Sequence, residues 1–152
     1  MRVDLYQVSR DPAETIVAML AEKALAAGQR LLVVAGEEAR LVAIGQALWA
    51  RTARDGSATF LANGLAGSGH EARQPVLLSS VVEPANGARF VVMADGIWRD
   101  EAADESRFAR AFLVFDGATL EAARACWRQL GEREGLERNF WKQDGTRWTR
   151  AA

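Results

Sequence analysis

Gly64 and Gly69 in the run GLAGSGHE stand at the two glycine places of a phosphate-binding loop, G-x-x-x-x-G-K-[ST]. In such a loop backbone amides wrap the phosphates, a Lys neutralises their charge and a hydroxyl holds magnesium. Here His70 and Glu71 fill the last two places. A carboxylate where the hydroxyl belongs repels a nucleotide, so the loop has the outline of the site without its chemistry. A small nucleotide-binding or hydrolysing α/β protein using residues 64–71 is therefore the second reading of this chain. His70 is the only histidine and thus the only base open to a Ser-His-Asp arrangement. Ser68, Ser79, Ser80 and Asp95 are available to it, yet none lies in a G-x-S-x-G elbow. Paired acids at Glu37-Glu38, Asp100-Glu101 and Asp104-Glu105 suit a polar loop or a helix's first turn. Neither setting splits two carboxyl pKa values as acid–base catalysis requires. Cys126 stands alone, which excludes an intramolecular disulfide and a cysteine metal cluster. These residues give no reason to expect a catalytic centre, a metal or a cofactor.

The run LEAARACWRQL is more informative. Helical spacing puts Leu120, Ala123, Trp127 and Leu130 on one stripe, with Arg124 and Arg128 on the neighbouring face, where they can converge on one anion. With Trp127 beside them they form an apolar floor and a guanidinium rim. That combination fits the end of a peptide carrying acidic residues, an apolar side chain and a free carboxylate. The competing reading is a solvated helix face whose arginines pair with Glu121 or Glu132. Trp49, Trp127, Trp141 and Trp148 each have a basic residue within two positions. Trp beside Arg is the composition of binding hot spots, although a Trp can equally pad a core edge. Direct binding of single-stranded nucleic acid would need several of these tryptophans on one basic groove.

The elements that must position these groups read as one α/β domain over residues 1–152. A chain of 152 residues buries a sufficient core without staples. Its net charge of −1 excludes holding duplex DNA by bulk electrostatics. The opening MRVDLYQV lacks the apolar core of a signal peptide and no run approaches a membrane span, so a reducing, cytoplasmic setting is expected. Residues 3–8 read as a strand, followed by a helix with Asp11 as N-cap and Pro12 at its first position, ending at Gly28. Residues 30–35 read as a buried parallel strand and 37–51 as a second helix with Leu41, Ile44, Gly45 and Leu48 on one stripe. That βαβα start requires a right-handed crossover and a sheet covered on both faces. Residues 52–74 read as a long glycine-rich loop with a turn near 58–61. Strands follow at 75–82, 89–94 and 111–116, with a polar loop at 95–105 and a short turn at 106–109. Thr119 caps a last helix from Leu120 to about Glu134, and the tail reads as a hairpin around Asp144-Gly145. A Rossmann dinucleotide site is not expected, because Gln7-Val8-Ser9-Arg10 follows the first strand where glycines would be required.

In order, VDLYQV, RLLVVA, ALWAR, TFLANGLAGSG, QPVLLSS, RFARAFLVFDG, AARACWRQLGEREG and KQDGTRW resemble the chi subunit family of bacterial DNA polymerase III holoenzyme over nearly the whole chain. The resemblance implies a Rossmann-like, three-layer α/β fold with a mostly parallel sheet, and a non-catalytic accessory subunit of the clamp-loader complex. It implies no cofactor and no membrane, with DNA reached mainly through partners. One partner is the acidic C-terminal tail of single-stranded DNA-binding protein, whose site carries over onto Arg124, Trp127 and Arg128. The other is the psi subunit, whose surface carries over onto Trp49, Phe60 and Leu61. The chain departs from the family pattern at Ala62-Asn63, Ser68 and Leu120, positions that bear on the fine shape of both surfaces.

Overall fold

Runs such as LLVV and FLVF, apolar at every position, can be strands only inside a sheet covered on both faces. The computed structural model, which describes residues 1–52, 56 and 59–152, places them there. Its strands and helices are β1 (Arg2–Gln7), α1 (Ala13–Ala26), β2 (Leu31–Val34), α2 (Glu38–Trp49), β3 (Asn63–Leu65), β4 (Val76–Ser79), β5 (Phe90–Met93), β6 (Arg110–Phe115), α3 (Leu120–Gly131), β7 (Glu137–Asp144) and β8 (Arg147–Arg150). The eight strands form one sheet in the order β3-β4-β2-β5-β6-β1-β7-β8. All neighbours run parallel except β8, which returns antiparallel to β7.

Side chains alternate along each strand, so β2 feeds two cores. Leu31 and Val33 pack with Val17, Leu20, Ile44 and Leu48 of α1 and α2. Leu32 and Val34 join the opposite core with Ala123, Cys126 and Leu130 of α3. The result is the expected three-layer, Rossmann-like arrangement. From β1 through α1 to β2 the chain moves toward the β3 edge over one face. From β6 through α3 to β7 it moves toward the β8 edge over the other. Opposite directions on opposite faces have the same hand, as a right-twisted sheet requires.

Local chemistry moves several boundaries. Asp11 does not cap α1. The N-cap is Pro12, without a side-chain bond, because the Asp11 carboxylate accepts from Gln143 Nε2 at 2.7 Å instead. Thr119 likewise makes no capping bond to α3. It ends a 3-10 turn, Gly117–Thr119, capped by Asp116 through Ala118 N–H. Helix α3 stops at Gly131, short of Glu134. The long loop contains the edge strand β3 and a 3-10 turn at Glu71–Arg73. Ala58, in the turn expected at 58–61, lies outside the described residues, and Leu61 N–H donates to Leu48 O at the end of α2. The hairpin at Asp144-Gly145 forms as expected, with Gly145 at φ +61°.

Asp4 fastens that hairpin to the sheet. It is wholly buried on β1, where Arg2, Arg110, Asn139 Nδ2 and Trp141 Nε1 all donate to its carboxylate. Tyr6 then stacks on Trp141 and meets Trp148 edge-on, with ring centroids 6.3 and 5.2 Å apart.

Candidate functional site

On α3 the helical period turns Ala123, Cys126 and Leu130 inward and leaves Arg124 and Arg128 exposed. Trp127 sits between the two faces, half-buried against the core, its ring edge-on to Phe140 of β7 at 5.8 Å. Arg124 Nη1 donates to Glu121 Oε1 at 2.8 Å, and the Glu side chain is 82% exposed. An exposed pair of this kind is worth about 0–1 kcal/mol, so an arriving carboxylate can displace Glu121. Arg128 has no ionic partner among the described residues.

A third arginine joins them. Arg138 of β7 lays its guanidinium over the Trp127 ring, 4.1 Å from the centroid, and donates to the Trp127 carbonyl. Gly131 makes the room: a Cβ there would lie 2.6 Å from the Arg138 guanidinium carbon. Sequence reasoning missed Arg138. The signal was strand alternation in ERNFW, which puts Arg138 and Phe140 on the face that α3 covers. Arg138 and Phe140 thus pack on Trp127, and Arg124 and Arg128 are exposed on the same helix.

A different surface forms at the end of α2. Thr59 N–H donates to Arg51 O at 2.9 Å and Leu61 N–H to Leu48 O at 3.0 Å. These bonds hold Phe60 beside the last turn of α2. Trp49 is 50% exposed and Phe60 66%, while Leu61 is buried in the core. Val42, two turns before Trp49 on α2, adds a further exposed apolar side chain that sequence reasoning missed. Trp127, Trp141 and Trp148 are half-buried core-edge rings. Trp141 and Trp148 pack on one core and Trp127 on the opposite one, so the tryptophans do not gather on one groove.

The glycine loop is closed by its own side chain. Glu71 Oε1 accepts from Gly67 N–H at 2.6 Å and Gly69 N–H at 3.4 Å. Backbone hydrogen bonds, from its own amide and then from Gly67 and Gly69, hold the Glu71 carboxyl below the usual range. Both glycines adopt φ +87°, which turns their amides toward one acceptor. The carboxylate occupies the place a phosphate oxygen would need, and the nucleotide reading loses its geometry as well as its chemistry.

The crevice at the carboxyl ends of β1 and β6 lies where open α/β sheets usually bind ligands and has a volume of about 640 Å³. The amides of Ser9, Arg10 and Asp11 are already taken by Gln143 Oε1 at 3.0–3.4 Å, which leaves fewer donors for an anion in the crevice. Asp95 lines it too. Burial raises the Asp95 pKa, but hydrogen bonds from Arg99 and Gly36 outweigh this and hold it low. Among the described residues no group of three or more His, Cys, Asp or Glu could hold a metal ion. Among the described residues no helix is long and apolar enough to cross a membrane.

Comparison with known proteins gives one match. No curated protein sequence matches this chain, whereas the family model described as DNA polymerase III chi subunit, HolC, matches residues 1–137. That span includes β1 through α3, together with Trp49, Phe60, Leu61, Arg124, Trp127 and Arg128. The chain therefore belongs to the DNA polymerase III chi subunit family, the non-catalytic accessory subunits of the clamp-loader complex.

Proposed function

We propose that this protein, acting as one domain, ties the clamp loader to template coated with single-stranded DNA-binding protein by gripping that protein's acidic C-terminal tail on α3. The observation that carries this reading is the Trp127 ring packed by Arg138 and Phe140, with Arg124 and Arg128 exposed on the same helix. An acidic tail supplies carboxylates for the rim, and its apolar side chain covers the exposed part of the indole. A hydrogen bond to a charged group is worth about 1.5–3 kcal/mol, so a single arginine decides much of the affinity. DNA is contacted mainly through that partner, since the net charge of −1 offers no general attraction to phosphates.

The second surface, Trp49 and Phe60 with Leu61 and Val42, takes the psi subunit. Exposed aromatic rings at a helix end are the anchors that protein interfaces bury. Co-purification with tagged tail protein and tagged psi tests both assignments together. Arg128→Ala is expected to lose the tail protein and keep psi, and Trp49→Ala the reverse. Loss of both partners from either variant, or of neither, contradicts the division into two surfaces.

A further inference from the structure

We propose that the recess between α1 and strands β5, β6 and β1 is a second site for the end of an acidic peptide, taking a terminal carboxylate and a large apolar side chain. The choice of peptide rests on the function proposed above, but the residues are different and lie over the opposite face of the sheet. The recess encloses about 310 Å³, the lower end of the range for ligand pockets. Its floor is apolar, formed by Leu20, Ala24, Phe90 and Phe112, and its rim carries Lys23 and Arg110.

The two cations differ in what already holds them. Lys23 is exposed and pairs with no carboxylate among the described residues. Arg110 is held by its Nε alone, which donates to Asp4 Oδ2 at 2.8 Å. Its two Nη groups donate to no described residue, and the guanidinium lies over Phe112, 4.6 Å from the ring centroid. Asp4 is ion-paired to Arg110 but is shared with Arg2, so one carboxylate faces two guanidinium groups and the cluster keeps a net positive charge. No acidic side chain lines the recess. Tyr6 lines it as well, and its hydroxyl has no partner among the described residues. An apolar floor under a cationic rim is the chemistry that the α3 sequence pattern suggested, and here it is built into a concave site.

Single-stranded nucleic acid is the less suitable occupant. It needs a cationic groove with successive free ring faces, whereas Tyr6, Trp141 and Trp148 pack on one another.

Calorimetric titration tests the proposal, using an acidic peptide with a large apolar last residue and a free carboxylate. Wild type should bind two peptides. Lys23→Glu and Ala27→Trp, the latter an exposed change at the recess edge, should each remove one site and keep the fold by circular dichroism. Arg128→Ala should remove the other. Amidating the peptide's terminus should weaken the recess site about tenfold, the loss of one charge-assisted hydrogen bond. A single site that Lys23→Glu and Ala27→Trp leave untouched overturns the proposal. So does a recess whose variants lose binding of a dT oligonucleotide but not of the peptide. A single site lost with Lys23→Glu and indifferent to Arg128→Ala upholds the recess and removes the α3 assignment instead.

Discussion

At the scale of single residues, two carboxylates and a thiol show how position sets chemistry. Burial on its own would raise the Asp4 pKa, but hydrogen bonds from Trp141 and Arg2 and the charge of Arg110 outweigh it and hold the group below its ordinary value. A carboxyl whose folded pKa is depressed contributes stability above its unfolded pKa and loses it as pH falls through the folded one. Urea unfolding should therefore give constant stability from neutral pH down to about 5 and a decline below about 4. Asp4→Asn should cost about 3 kcal/mol at pH 7, because it leaves two arginines facing a neutral amide, and should flatten the acid decline. An unchanged acid slope in that variant would show that other groups carry it. Glu71 achieves its low pKa on the surface, chiefly through loop amides. Burial pushes the Cys126 thiol up to about 12, so it should react with a thiol reagent only when the protein unfolds. The basic character of α3 was readable from the Arg124–Trp127–Arg128 spacing. Arg138 was not, because its place over Trp127 depends on β7 lying beside β1, a contact between distant parts of the chain.

At the scale of elements, strands buried on both faces were the most legible, since LLVV and FLVF leave no other choice. Strand β3 was invisible: Asn63–Leu65 has no apolar run and pairs with one neighbour only. The start of α1 was misread because Asp11 had a stronger partner, Gln143, far away in sequence. The end of α2 joins stability to recognition. Leu61 is buried in the core while Trp49 and Phe60 are exposed, so Leu61→Ala should destabilise by about 2–4 kcal/mol. Trp49→Ala, half-exposed, should cost no more than about 1 kcal/mol and yet abolish psi binding. Chemical denaturation beside a psi binding assay separates the two effects. Equal loss of stability in both variants would place Trp49 in the core. The 64–71 loop, sealed by Glu71, should give no rise in melting temperature with magnesium and ATP.

At the scale of the whole molecule, strand order was beyond sequence reasoning, because β1 sits between β6 and β7 and β2 between β4 and β5. That order decides how the surfaces are arranged. Helix α2 covers one face of the sheet and α3 the other, so the two proposed surfaces share no side chain and lie in separate cores. Distant sites without shared partners behave additively. Saturating psi should therefore change the tail's dissociation constant by less than about twofold. A larger change would mean that the sheet couples its two faces. The family assignment makes this protein a clamp-loader accessory subunit, and the grip on the acidic tail is the part of its task proposed above. Fluorescence anisotropy of a labelled tail peptide, titrated with wild type and with Arg128→Ala at moderate salt, measures that grip directly. Arg128→Ala should weaken binding by about 10- to 100-fold, the equivalent of one charge-assisted hydrogen bond. Equal affinity for the two proteins would contradict the α3 site, and no binding by wild type would contradict the tethering role itself.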